Sequence, residues 1–115
     1  MTYTHNDFVD YVMELMSTWM PVVANKTDPG YGLYRNGLRF ALIAGEQLYF
    51  KTDAGDEPLF EREGCSPFFS SSEGRAVRTS FWSAPPDCLD TPAVMREWCQ
   101  LAYAAALRAQ VIEAS

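Results

Sequence analysis

The chain has 115 residues, a pI near 4.6 and a formal net charge of −6, with 48% hydrophobic and 21% charged residues. This is one domain's worth of ordinary globular composition, long enough to bury a core without covalent staples, and it excludes a disordered chain. An acidic domain repels the phosphate backbone, so direct binding to duplex nucleic acid is not expected.

The start, Met1-Thr2-Tyr3-Thr4-His5, has no basic flank and no unbroken apolar run, and no segment reaches the length of a membrane span. The expectation is a cytoplasmic protein with reduced thiols and no membrane association. The first periodic segment is Asn6 to Met20, where Phe8, Val12, Leu15, Met16 and Trp19 make one helical stripe. Thr4 or Asn6 can cap it, and Pro21 lacks the amide hydrogen that a continuing helix needs. Val22 and Val23 can begin a strand that then loosens toward the Asp28-Pro29-Gly30 turn.

The stretch GYGLYRNGLRFALIAGEQLYFKTD, residues 30–53, reads as a meander of three antiparallel strands. Asn36-Gly37 is a two-residue hairpin signal, because both residues tolerate the positive φ of a type I′ turn. The register then sets Arg35 opposite Leu38, Leu33 opposite Phe40 and Tyr31 opposite Leu42. A second turn at Ala44 to Gln47 sets Ile43 opposite Leu48 and Leu42 opposite Tyr49. One face would carry Tyr31, Leu33, Phe40, Leu42 and Tyr49, and the other Tyr34, Ala41, Ile43, Leu48 and Phe50. Both faces are apolar, so each is expected to be covered, one by helices and the other by helices or a partner chain. Gly30-Tyr31-Gly32 leads into a strand rather than a helix, which makes these glycines scaffold and not a phosphate loop.

Asp56 to Glu63 reads as a short helix with Asp56 as N-cap, Pro58 in its first turn and Gly64 as its stop. Two strands follow, Pro67 to Ser70 and Arg75 to Ser83, joined at Glu73-Gly74 and closed by Pro85-Pro86. The last element is a long helix from Ala93 to Ile112, capped by Asp90 or Thr91. Its stripe is Val94, Trp98, Leu101, Ala105 and Ile112, with Met95, Ala102 and Leu107 near the edges, and Arg108 reads as a surface position whose replacement leaves the fold intact. The order is α-β-β-β-α-β-β-α. It makes a single two-layer α+β domain over residues 1–115, with a five-stranded, mostly antiparallel sheet packed on helices.

No residue pattern points to catalysis. Cys65, Cys88 and Cys99 are an odd set without CxxC spacing, which fits core thiols better than a disulfide or a zinc site. His5 is the only histidine. Asp53, Asp56, Glu57, Glu61 and Glu63 cluster at the short helix and read as a solvated acidic face rather than an acid–base pair. Arg35, Arg39, Lys51, Arg75 and Arg78 lie on strands or turns; they can pair with nearby carboxylates or make a patch for an anion.

The run GYGLYRNGLRFALIAGEQLYFKTD, followed by Phe60, Gly64, SPF and SFWSAP and then an alanine-rich helix, resembles the TfoX/Sxy N-terminal domain family from about Phe8 to Arg108. The resemblance implies an α-β-β-β-α-β-β-α fold and a bacterial regulatory setting, since the named members act as coactivators of competence genes. It supplies no catalytic residues. The reading is therefore a non-enzymatic regulatory or protein-interaction module, without cofactor or metal, with a protein partner and as a homodimer. The alternative is a small-molecule-binding domain with Tyr31, Tyr34, Tyr49 and Trp82 lining an aromatic pocket, and an enzyme is the least favoured.

Overall fold

The computed structural model describes residues 7–27 and 30–114, with side chains described as far as residue 111. His5, the proposed caps Thr4 and Asn6, the Asp28-Pro29 turn and the Ile112 side chain lie outside the described residues. In chain order the elements are α1 (Asp7–Met16), β1 (Val23–Lys26), β2 (Tyr31–Arg35), β3 (Leu38–Ala44), β4 (Gln47–Lys51), α2 (Glu57–Arg62), β5 (Pro67–Ser72), β6 (Arg75–Ser83), a short 3₁₀ turn (Pro86–Leu89) and α3 (Pro92–Ala114). The fold is α+β, as expected, but the sheet has six strands rather than five, in the order β1-β2-β3-β4-β6-β5 and antiparallel throughout. The added strand is β1, which pairs Val23 with Tyr34 and Lys26 with Tyr31. Its four residues carry too little pattern to stand out alone, and the β2 edge recruits them.

The turns behave as their residues dictate. Asn36 and Gly37 have φ of 52° and 78°, and Glu73 and Gly74 have 53° and 78°, the positive pairs of tight hairpin turns. Gly30, at φ 74°, crosses β3 so closely that a Cβ there would lie 1.8 Å from the Ile43 carbonyl oxygen. The Gly30–Gly32 segment is thus strand scaffold.

All three helices pack on one face of the sheet. A single core joins Val12 and Met16 of α1, Phe60 of α2 and Met95, Cys99 and Ala102 of α3 to Leu33, Ala41, Ile43, Leu48, Phe50 and Trp82 of the strands. The expectation that both faces are covered fails within the chain: α1 and α3 touch each other over the same side. The buried stripe of α3 also differs from the one expected. It runs through Met95, Cys99, Ala102 and Ala106; Ala105 is buried as expected, and Leu107 is exposed. The small Cys99, Ala102 and Ala106 let the helix axis approach β3 and β4 closely, and the bulkier Val94, Trp98 and Leu101 fill the flanks. Helix α1 ends at Met16, so Trp19 reaches the core from the following turn, edge-on to Phe40 and Tyr103.

The first hairpin departs from uniform alternation. Arg35 pairs with Leu38 and Tyr34 with Arg39, but Leu33 pairs with Ala41, so Phe40 is an extra residue in β3. This bulge turns Phe40 and Ala41 to the same side, both fully buried under the helices. The expected Leu33–Phe40 and Tyr31–Leu42 pairs are replaced by Leu33–Ala41 and Tyr31–Ile43. Leu33, Tyr31 and Phe40 therefore leave the face that Leu42 and Tyr49 occupy, whereas the expected Ile43–Leu48 and Leu42–Tyr49 pairs are present.

Candidate functional site

The face without a helix is built by Tyr34 and Arg39 at the bulge, Leu42 of β3, Tyr49 and Lys51 of β4, and Phe81 of β6. Leu42 and Phe81 are 8% and 7% exposed, although neither belongs to the core under the helices. Their shielding comes from long neighbours on the same face. Tyr49 and Phe68 meet at an interplanar angle of 56° with ring centroids 4.7 Å apart. The Arg39 guanidinium and the Lys51 ammonium lie 5.1 and 5.5 Å from the Phe81 ring centroid. The charged ends thus lie over the Phe81 ring as cation–π contacts.

Beside them lies a hollow of about 390 Å³. Leu42, Phe68 and Phe81 make its apolar wall, and Arg39, Thr27, Ser70, Thr79 and Ser80 supply polar groups. A volume of this order, apolar with a few polar groups, suits a small ligand. A second hollow of about 370 Å³ lies on the far side of Arg39 and Phe81, between Lys51 and the α3 residues Ala106, Ala109 and Gln110.

The shape depends on an irregular stretch of β6. Pro67 pairs with Trp82 and Phe69 with Arg78, so Thr79, Ser80 and Phe81 all stand opposite Phe68. The Thr79 hydroxyl fastens this bulge, donating to the Phe68 carbonyl at 2.8 Å and accepting from the Phe81 amide at 3.1 Å. Buried Thr52 holds the Ser80 carbonyl with its amide at 2.8 Å and its hydroxyl at 3.0 Å. Lys51 Nζ donates to Ser80 Oγ at 2.5 Å. Gly32 gives room on the same face: a Cβ there would meet the Tyr34 ring at 2.9 Å and Arg39 Cδ at 3.1 Å.

Charge is partitioned sharply. Lys26, Arg35, Arg39, Lys51, Arg75 and Arg78 lie in strands, and none of the six strands contains Asp or Glu. Arg78 pairs with Glu57 at 3.4 Å, and Arg35 lies over the Trp19 and Tyr103 rings. Among the described residues, Arg39 and Lys51 have no carboxylate partner.

The family model described as TfoX N-terminal domain matches residues 14–106, from late α1 through most of α3, and so spans every strand of both faces. The chain belongs to the TfoX N-terminal domain family. No individually curated protein gives a match. In this TfoX N-terminal domain the four aromatic residues singled out from sequence do not gather. Tyr34 and Tyr49 stand on the helix-free face. Tyr31 packs against the helical core, and Trp82 is buried there, its indole N–H donating to Glu57 Oε2 at 3.4 Å. Phe68 and Phe81 take their places at the hollow; the bulges at Phe40 and Thr79–Phe81 decide this, and alternation alone does not reveal it.

Two members of the acidic cluster of the TfoX N-terminal domain, Asp53 and Asp56, form a structural clasp, while Glu61 and Glu63 are exposed. Arg108 donates to Asp53 Oδ2 from Nε at 2.6 Å and to Asp56 Oδ2 from Nη2 at 3.2 Å, tying α3 to the start of α2. Asp56 stands at the N-cap of α2 but makes no side-chain cap bond, because its carboxylate is turned to Arg108. Burial pushes the Asp53 carboxyl up, but hydrogen bonds from Arg108 and the Asp56 backbone, with the Arg108 charge, outweigh it and leave the group below its ordinary value. Burial and the charge of Asp53 hold Asp56 above its ordinary value despite Arg108. Arg108 is exposed, as the sequence suggested, but its guanidinium is engaged by Asp53 and Asp56.

All three cysteines are free thiols. Burial pushes Cys88 up to about 12, and burial raises Cys65 and Cys99 as well, so the thiolate form that reacts is disfavoured. Among the described residues no group of His, Cys, Asp and Glu is placed to hold a metal, and no helix is long and apolar enough to cross a membrane.

Proposed function

We propose that this chain is a non-enzymatic regulatory module that acts by binding a protein partner through the helix-free face of its sheet. One observation carries the reading. Every helix packs on the same side, and the opposite side presents Tyr34, Tyr49, Arg39 and Lys51 on strands without a single carboxylate, in a protein of net charge −6. Charge complementarity then selects an acidic partner segment, and the aromatic rings supply contact area at low entropic cost. The non-catalytic part of the reading is supported by the engagement of Asp53 and Asp56 by Arg108 and by the raised thiols, two of them buried.

The test is affinity capture from extract of the native cell, with the wild-type chain beside Tyr34→Ser/Tyr49→Ser and, as a control on the helical side, Arg96→Ser. A partner lost with the double variant, retained by the control and weakened by salt supports the reading. A partner retained by the double variant overturns it. Sequence-specific, submicromolar binding to duplex DNA at physiological salt would overturn the protein-partner assignment too. Pairing of two copies through this face is read from light scattering: a mass near 12.9 kDa removes it, and twice that mass supports it.

A second reading, a small-molecule-binding domain, is favoured by the hollow of about 390 Å³ on the same face.

A further inference from the structure

We propose that the hollow walled by Leu42, Phe68 and Phe81 is a binding site for a small organic anion, a carboxylate or phosphate carried on a flat apolar body. The inference rests on the reading that the helix-free face is the recognition surface.

The anion end is set by Arg39 and Lys51. Both cations lie within 5.5 Å of the Phe81 ring centroid, and neither has a carboxylate partner among the described residues. An anion in the hollow gains a charge-assisted hydrogen bond from Arg39, about twice as strong as a neutral one, while the Lys51 charge acts from behind Ser80. Arg39 lines the hollow directly. Lys51 reaches its rim through Ser80, whose hydroxyl it contacts at 2.5 Å and which lines the same hollow. A hydroxyl that already accepts from an ammonium is free to direct its own proton to a ligand oxygen. The site is held in place: Thr52 makes two bonds to the Ser80 carbonyl, and Thr79 makes two bonds across the bulge. The apolar body is set by the wall. Leu42 and Phe81 are nearly buried, and the Phe68 ring, braced by Tyr49, gives a planar ligand a surface to lie on. On a protein of net charge −6 an anion is drawn to local positive charge, and at this hollow Arg39 supplies it, with Lys51 behind Ser80.

The experiment titrates the ¹⁵N-labelled full chain with benzoate, phenyl phosphate, inorganic phosphate and the neutral benzyl alcohol, reading amide shifts. Benzoate or phenyl phosphate is expected to move the amides of Arg39, Leu42, Ser80 and Phe81, and benzyl alcohol to bind at least about tenfold more weakly, the loss of one charge-assisted contact. Arg39→Gln and Lys51→Gln should each weaken the anions by about the same factor, whereas Arg75→Gln, at the hairpin tip with an equal change of net charge, should not. Unchanged thermal melting shows that the variants fold. Benzoate against phenyl phosphate decides which anion is preferred, and inorganic phosphate shows whether the apolar body is needed; inorganic phosphate binding as tightly as phenyl phosphate overturns the apolar half of the assignment. Equal binding of benzyl alcohol and benzoate in the hollow overturns the anion while leaving the helix-free face as the recognition surface. Shifts confined to the helical side overturn both. No shift with any probe overturns this site and leaves the partner reading to its own capture test. An equal loss in Arg75→Gln reduces the effect to net charge and overturns the site.

Discussion

The two faces of the sheet are made from the same strands, often from adjacent residues, and yet they solve burial differently. Under the helices, Phe50 is fully buried among Leu48, Trp82 and Phe60, and water is excluded by other elements. One residue earlier, Tyr49 points the other way and is covered only in part, by Phe68. On that side Leu42 and Phe81 stay outside the core under the helices, and the Arg39 and Lys51 cations lie over the Phe81 ring. An apolar strand therefore does not by itself demand two covered faces. Long amphipathic side chains can replace a missing layer, and they leave charge and hydroxyls where a ligand can reach them. The helical face holds the fold together; the open face is available for recognition.

The sharpest way to break this comparison is to truncate neighbours. Phe50→Ala should lose about 3–5 kcal/mol in denaturant unfolding, since it removes a fully buried ring. Tyr49→Ala should lose no more than about 1.5 kcal/mol, because its ring is only partly buried. Equal losses would mean that the open face is a second core.

Two glycines two residues apart give the next contrast. Gly30→Ala places a methyl against the Ile43 carbonyl oxygen at a positive φ, where only backbone movement can make room. A loss of roughly 3 kcal/mol is expected. Gly32→Ala meets the ends of the Tyr34 and Arg39 side chains, which can shift, so a loss under about 1 kcal/mol is expected. Its consequence should appear as weaker ligand or partner binding on the open face. Reversal of that order would place the tight backbone contact on the wrong strand edge.

Arg108→Met tests the clasp between α3 and α2 and should lose roughly 1 kcal/mol near neutral pH, a modest figure because the guanidinium is half exposed. Asp53 titrates below its ordinary value in the fold, so its contribution is full above the unfolded value and fades as pH falls through the folded one. Asp56 is raised, so its contribution has the opposite sign: it favours the fold in acid and is lost as pH rises through its folded value. Wild type and variant should therefore differ most near neutrality and converge in acid, measured as unfolding free energy against pH. A difference independent of pH would assign Arg108 a packing role only.

The smallest expected effect concerns the thiols, all of which are free. With Cys88 near 12 and Cys99 fully buried, native protein should react with a thiol reagent first at Cys65 and at the other two only on unfolding. Reductant and chelator should leave the melting temperature unchanged. A fall of many degrees with either would reveal a staple on the helical side and change the account of how that side is held.

Much of this was readable one segment at a time. Asn36-Gly37 and Glu73-Gly74 dictate their turns through backbone sterics, Pro58 and Gly64 bracket a short helix, and Thr91 caps α3 by accepting from the Val94 amide at 3.2 Å. The charge partition was legible too, since no strand segment contains Asp or Glu. These features depend on neighbours in sequence, and short-range sterics and hydrogen bonding settle them. Tertiary structure alone decided which face each strand residue occupies. The Phe40 bulge sends Leu33, Phe40 and Ala41 together under the helices because burying Phe40 against Trp19 and Tyr103 outweighs regular alternation. Only docking of α1 and α3 on one side leaves the other side open, and only pairing of β4 with β6 brings Lys51 to Phe81, across a helix and a strand. Such choices rest on apolar area shared between residues far apart in the chain, and no local periodicity carries that information.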